Sequence, residues 1–206
     1  MHKQILTSGT AQLVTRAYER ESAPARASVV IGGAMGVRQD YWAPFAEWLA
    51  GQGFRVTTFD YRGSGDSLPD TADGGLRGFQ ADLMDWASDY EAVVDSAKAA
   101  LPAAPLYLLG HSLGAQLPGF LKNQSISDAE LMTWRGTQNL INLYTGAPRS
   151  FERITPADLS VKRIGHFGFF RQQFSQSVRP RAAQVFERMR AAPAAPAAAG
   201  VASTTA

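Results

Sequence analysis

The sequence predicts an α/β protein: a mostly parallel sheet with helices on both faces. Two observations carry this. Short β-branched runs that end at glycines alternate with longer segments of helical spacing. Strands separated by helices of that length cannot be joined as hairpins, so their crossovers pair them in parallel.

The elements follow in order. Residues 12–19 (QLVTRAYE) alternate apolar and polar, as a half-buried strand does. Residues 27–33 (ASVVIGG) read as a buried strand running into glycines. Residues 41–53 have helical spacing, with Trp42, Phe45, Trp48 and Leu49 on one face and Gly51 and Gly53 as stops. Residues 54–60 are a further strand, 79–101 a long amphipathic helix, 105–110 a strand and 112–122 a helix. From Ala191 onward the chain is low-complexity Ala/Pro/Thr, with Pro193 and Pro196 against helix, so 191–206 is expected to be a disordered tail behind one domain of residues 1–190.

Composition narrows the function. The 206 residues suffice for one domain with a real core. Lys plus Arg number 20 against 18 Asp plus Glu, without a basic cluster, so nothing favours a nucleic-acid partner. Cysteine is absent, which excludes disulfide and thiolate chemistry. The first twelve residues have no apolar stretch long enough for a signal peptide, and no window approaches about eighteen apolar residues. A cytoplasmic protein without a membrane span is expected. No His/Cys/carboxylate cluster has metal-ligand spacing, so neither metal nor organic cofactor is implied.

Chemistry concentrates in YLLGHSLGAQ, residues 107–116. Here Gly110, His111, Ser112, Leu113 and Gly114 stand between a strand and a helix start. This is the G-x-S-x-G nucleophile elbow, in which a tight turn lifts the serine hydroxyl above the sheet. Side chains at either glycine would strike the neighbouring elements. The elbow directs the Leu113 N–H and the helix N-terminus at the attacked carbonyl. The plain alternative is Ser112 as an ordinary helix N-cap between turn glycines. The glycine-rich turn after strand 27–33 offers a second oxyanion donor, the backbone N–H of Ala34 or Met35. That turn fits neither G-x-G-x-x-G nor the P-loop with its lysine.

With VVIGGAMG, FDYRGSGDS and GHSLGAQ in view, the chain resembles the α/β-hydrolase fold family over roughly residues 5–190. Within it, IGGAMGVRQDYWAPFAEWLA and RIGHFGFFR look most like a bacterial branch of serine aminopeptidase/lysophospholipase-like hydrolases. The resemblance implies that Asp60, Arg62, Gly63, Gly65 and Ser67 form a structural turn after a strand, holding the loop near the oxyanion site.

A serine nucleophile needs a base and an acid. Of three histidines, His2 is terminal and His111 lies inside the elbow, pointing the wrong way. His166 remains, late in the chain as this fold's order of serine, acid and histidine requires, with Gly165 and Gly168 to turn its loop. A histidine packed among Phe167, Phe169 and Phe170 is the rival reading. Asp128, at the end of the short run Gln124–Ser127, fits the acid best. Ser127 and Glu130 also match a capping box, which would make Asp128 a first-turn helix acid; Asp158 is the fallback.

Only 16 positions separate Ser112 from Asp128. The family normally places a cap and further strand–helix units there, so a shortened, capless fold is expected. Gln124–Ser127 would then pair with strand 105–110, and 150–155 would form the next strand. Met35, Trp42 and Phe167, if they face inward, would line a pocket for an apolar acyl group. The expected function is a serine hydrolase cleaving an ester, thioester or amide of a small-molecule acyl substrate. The uncapped pocket invites self-association. The alternative is a catalytically impaired relic that binds a hydrophobic ligand or a partner.

Overall fold

The computed structural model describes residues 1–69, 79–121, 154–165 and 168–191. The chain runs β1 (His2–Ser8), β2 (Ala11–Tyr18), β3 (Ala27–Gly32), α1 (Ala43–Gly51), β4 (Phe54–Phe59), α2 (Leu83–Ala100), β5 (Leu106–Gly110), α3 (Leu113–Gln116) and α4 (Arg179–Ala191). Short 3-10 turns intervene, among them Gln39–Trp42 and Leu117–Phe120.

The five strands lie in the order β1-β2-β4-β3-β5. β3 pairs in parallel with β4 and with β5, while β1–β2 and β2–β4 are antiparallel. Among the described residues the sheet is therefore mixed, and the expected mostly parallel sheet holds only for its β4-β3-β5 part. The cause is the β1–β2 hairpin. Residues 2–8 carry few apolar side chains, and β1 becomes a strand by pairing along its whole length with β2, with the left-handed Gly9 in the turn.

β3 is buried at every residue because both its faces are covered. Val29 and Ile31 face a cluster built by Trp42, Phe45 and Leu49, with Ala182 and Phe186 of α4. Val30 faces the other way, into Tyr90, Val93 and Val94 of α2 with Leu113 and Leu117. Helices thus cover opposite faces, as the continuous apolar run of β3 requires. The crossover after β3 leads through α1 to β4 on one side. The crossover after β4 leads through α2 to β5 on the other. The carboxyl ends of β3 and β5 consequently border a topological switch point, the crevice where open α/β sheets bind ligands.

Three boundaries differ from those the spacing suggests. α2 begins at Leu83, not at 79, because Asp82 accepts the N–H groups of Met84 and Asp85 while the Asp85 carboxylate accepts that of Asp82. The helix expected over 112–122 has one α turn, Leu113–Gln116, and then tightens to 3-10. Pro118 has no N–H for the carbonyl of Gly114, so the α ladder stops there. The helix expected from 41 opens as a 3-10 turn, and its α portion starts at Ala43 with Pro44 in its first turn. Strand Gln124–Ser127, the strand at 150–155 and the tail beyond Ala191 fall outside or almost wholly outside the described residues.

A charge cluster ties the sheet to the loop after β3. Asp66 receives Arg16 at 2.8 Å, Arg38 at 3.1 Å and Lys3 at 3.6 Å, and Arg16 also bonds Asp40. The Arg16 guanidinium, aided by the nearby cations, holds the Asp66 carboxyl below the ordinary carboxylate range despite partial burial. A depressed folded-state value means that the stabilisation is present above the ordinary value of about 3.9 and is lost as pH falls through the folded value. Asp66→Asn is therefore expected to lower stability at neutral pH and to flatten its further loss in acid. Urea unfolding from pH 7 to pH 3 would show this; parallel curves for variant and parent would disprove it.

Candidate active site

Ser112 follows β5 at φ +55° and ψ −115°, backbone that L-residues avoid. The turn is locked on both sides. The His111 N–H donates to the Gly32 carbonyl at 2.9 Å, and the Gly114 N–H donates to the Gly33 carbonyl at 3.1 Å and to that of His111 at 3.1 Å. A Cβ at Gly114 would stand 2.1 Å from the Gly32 oxygen. One at Gly110 would stand 2.4 Å from the Gly114 oxygen and from the Ala115 Cα. Both positions therefore exclude any side chain.

This geometry bears on the plain N-cap reading. An N-cap serine sits in the β region and accepts a hydrogen bond from a first-turn N–H. Ser112 occupies the cap position with left-handed φ, and its hydroxyl makes no cap bond. Its side chain is half-buried and free of that structural duty.

β3 and β5 are in register at Gly32 and Gly110. The turn after β3 therefore lies beside the elbow. Ala34 is buried, its carbonyl accepts the Val37 N–H at 3.2 Å, and Gly36 takes φ +72°. Met35 is at the tip, 64% exposed. Leu113 is the first residue of α3, where backbone N–H groups have no intrahelical acceptor. Ser112, Leu113, Ala34 and Met35 are thus collected at the carboxyl ends of two adjacent strands.

The other expected residues divide. Asp128, His166 and Phe167 lie outside the described residues. The segment that follows them does not: the Phe170 ring packs on His111 at 5.4 Å and on Trp42 at 4.5 Å. The fallback acid Asp158 is exposed, and its Oδ2 accepts from the N–H and hydroxyl of Thr155 at 2.7 and 2.8 Å. His111 is buried beneath the elbow, its ring 5.3 Å from that of Trp42. Trp42 corrects an expectation. It is fully buried among Tyr41, His111 and Phe170 and lines no open pocket. Its indole closes the space behind Gly33, where a Cβ would stand 2.8 Å from Nε1.

The turn after β4 is structural, as the motif suggests. The Asp60 Oδ1 accepts the Gln39 N–H at 2.7 Å, and Oδ2 accepts Gln39 Nε2 at 3.1 Å and the Asp66 N–H at 2.9 Å. Burial pushes this carboxyl up, and the same N–H groups oppose the shift. The Ser67 hydroxyl donates to the Asp60 carbonyl and accepts the Val14 N–H. Gln39 is a residue that sequence reasoning passed over. A single glutamine in a loop carries no pattern that announces burial. Among the described residues no group of three or more His, Cys, Asp or Glu could hold a metal ion, and no helix is long and apolar enough to cross a membrane.

Comparison with known proteins agrees with this architecture. Residues 23–118, a little under half of the chain, match the family model described as serine aminopeptidase, S33. A predicted CIB-like hydrolase from Thermoplasma acidophilum superposes with a TM-score of 0.56 at 12% identity, covering 93% of this chain and 98% of that one. A carboxyl esterase from Bacillus coagulans gives 0.53 at 16% identity, over 69% of this chain and 48% of the other. A thioesterase domain from the curacin biosynthetic pathway gives 0.50 at 22% identity, over 69% and 52%. This chain thus spans about half the length of the esterase and of the thioesterase domain. No curated protein matches it. These likenesses show that the chain has the α/β-hydrolase fold.

Proposed function

We propose that the protein is a serine hydrolase acting through an acyl-enzyme. The coarse class, hydrolase, is supported by the matched family model. The observation that carries the finer reading is the backbone of Ser112, held at φ +55° with its hydroxyl unused as a cap. Strain of this kind costs of the order of 1–3 kcal/mol, and here it serves no helix-capping purpose. It frees a hydroxyl above the switch point.

In the mechanism Ser112 Oγ attacks the carbonyl carbon of an ester, thioester or amide, and its proton passes to His166. Asp128 orients the imidazole and stabilises its charged form. The carbonyl oxygen gains the negative charge, and the N–H groups of Leu113 and Ala34, with Met35 as the alternative donor, receive it. Collapse returns the proton to the leaving group. Water, deprotonated by His166, then releases the acyl group. An ester is favoured over a peptide, because nothing in the sequence pattern supplies a charged anchor for a free amino terminus.

Labelling by a fluorophosphonate probe tests the reading. The parent chain is expected to label, Ser112→Ala not at all, and His166→Ala at least about a hundredfold more slowly. A folded parent chain that does not label would overturn it, and the impaired binding protein would take its place.

A further inference from the structure

The turn that carries Ala34 is held along its length by packing, with Ala34 buried and Val37 against the core cluster. Residues 34–37 are Ala, Met, Gly and Val, with no polar side chain to anchor them. The hydrogen bonds that tie the turn to the rest of the fold therefore lie at its two ends. One end is Gly33, whose carbonyl receives the Gly114 N–H of the elbow. The other is Gln39, fully buried.

The Gln39 carboxamide bridges three parts of the chain. Nε2 donates to the Val14 carbonyl of β2 at 3.1 Å and to Asp60 Oδ2 at 3.1 Å. Oε1 accepts the Thr58 hydroxyl of β4 at 3.0 Å. Its backbone N–H donates to Asp60 Oδ1 at 2.7 Å. A single side chain thus fastens the far end of the turn to β4 and β2, the two strands next beyond β3. Buried hydrogen bonds of this kind fix position as well as adding stability.

We infer that Gln39 is a positioning residue for the oxyanion hole: it fixes the turn that presents the Ala34 N–H to the carbonyl attacked by Ser112. The inference rests on the serine hydrolase reading and assigns a role to a residue that never touches substrate. A donor displaced by about an ångström loses its grip on the tetrahedral oxyanion and little of its contact with the ground state. Gln39 therefore acts on the chemical step and not on substrate binding.

The test compares Gln39→Met with Val93→Ala. The methionine fills a similar volume and removes the three side-chain bonds. Val93, buried on α2 against the opposite face of the sheet, supplies a variant of comparable instability with no link to the turn. Thermal unfolding would be measured beside kcat and KM for a short-chain p-nitrophenyl ester. Affinity for phenylboronic acid, whose boron takes the serine oxygen as a fourth ligand, would be measured for each chain. Both variants are expected to unfold at lower temperature. Only Gln39→Met should lose about tenfold or more in kcat, with KM within about twofold, and weaken boronate binding in proportion. Equal kcat values in the two variants, or a loss confined to KM, would overturn the role of Gln39. A Gln39→Met chain that fails to fold is bypassed by Thr58→Val, which removes one of the three bonds and should show a smaller loss of the same pattern. If the parent chain neither hydrolyses the ester nor labels with the fluorophosphonate, the hydrolase reading itself fails, and that outcome is separate from the variant comparison.

Discussion

Replacing Gly114 by alanine is expected to unfold the domain or bring it to the edge of unfolding. The added Cβ would lie 2.1 Å from the Gly32 oxygen, 2.2 Å from its carbonyl carbon and 2.8 Å from its Cα. All three are backbone atoms, so no rotamer change can relieve the clash. Gly32 cannot retreat, because it is paired with Gly110 in the sheet and a Cβ placed on Gly32 itself would already lie 2.8 Å from the Tyr90 ring. Ordinary overpacking costs about 1–3 kcal/mol because side chains give way. Here the loss should exceed about 4 kcal/mol, a large part of the roughly 5–15 kcal/mol that a domain has to lose. Gly51→Ala is the matched comparison. Gly51 ends α1 with nothing within 4 Å of the added methyl, so that variant should be unchanged or more stable by up to about 1 kcal/mol. Urea unfolding of both would decide. A Gly114→Ala chain that loses less than about 1 kcal/mol would show that the elbow is not packed as described.

The elbow was readable in the sequence because it is a local object. Its glycines, its serine and the strand before it are contiguous, and each is demanded by sterics within a few residues. β3, α1, β4 and α2 were readable for the same reason: their apolar periodicity belongs to the element itself. β1 was not. HKQILTS has no strand pattern of its own, and its structure comes from pairing with β2. The length of α3 was present in the sequence as Pro118 and was overruled by an apolar spacing that continues past it. Trp42 shows a further limit. Its helical spacing marked it as an inward-facing aromatic, but whether inward meant core or pocket was decided by Phe170, 128 positions later, seated against it. Gln39 was invisible, because its partners Val14, Thr58 and Asp60 come from two strands and a turn. The serine and the glycine-rich turn after β3 in the candidate site thus follow from local rules. The histidine and acid depend on chain order and on family resemblance.

Arg62→Met is the second substitution expected to cost several kcal/mol, and the reason is the carboxylate it would strand. Asp89 lies on α2 with its side chain fully shielded from water. It accepts Arg62 Nε at 3.0 Å, Nη2 at 2.7 Å and the Arg62 backbone N–H at 3.0 Å. The same guanidinium reaches Asp85 at 2.9 Å and the Ser8 carbonyl at 3.3 Å, so it joins α2 to the turn after β4 and to the end of β1. Methionine would replace the length of the side chain and none of its charge. Asp89 would keep one backbone donor and an uncompensated buried charge, a loss of about 3–5 kcal/mol. Arg62→Met combined with Asp89→Asn removes both charges, and the asparagine oxygen can still accept the backbone N–H. The double variant is therefore expected to be more stable than Arg62→Met alone, with a coupling of at least about 1–3 kcal/mol in the cycle measured by urea unfolding. Additive losses would mean that the pair contributes no more than an exposed ion pair does, about 0–1 kcal/mol, and that the turn after β4 is held by Asp60, Asp66 and Ser67. Because that turn supports Asp60, and Asp60 supports Gln39, the cycle also measures how far the frame behind the turn after β3 depends on charge and how far on neutral hydrogen bonds.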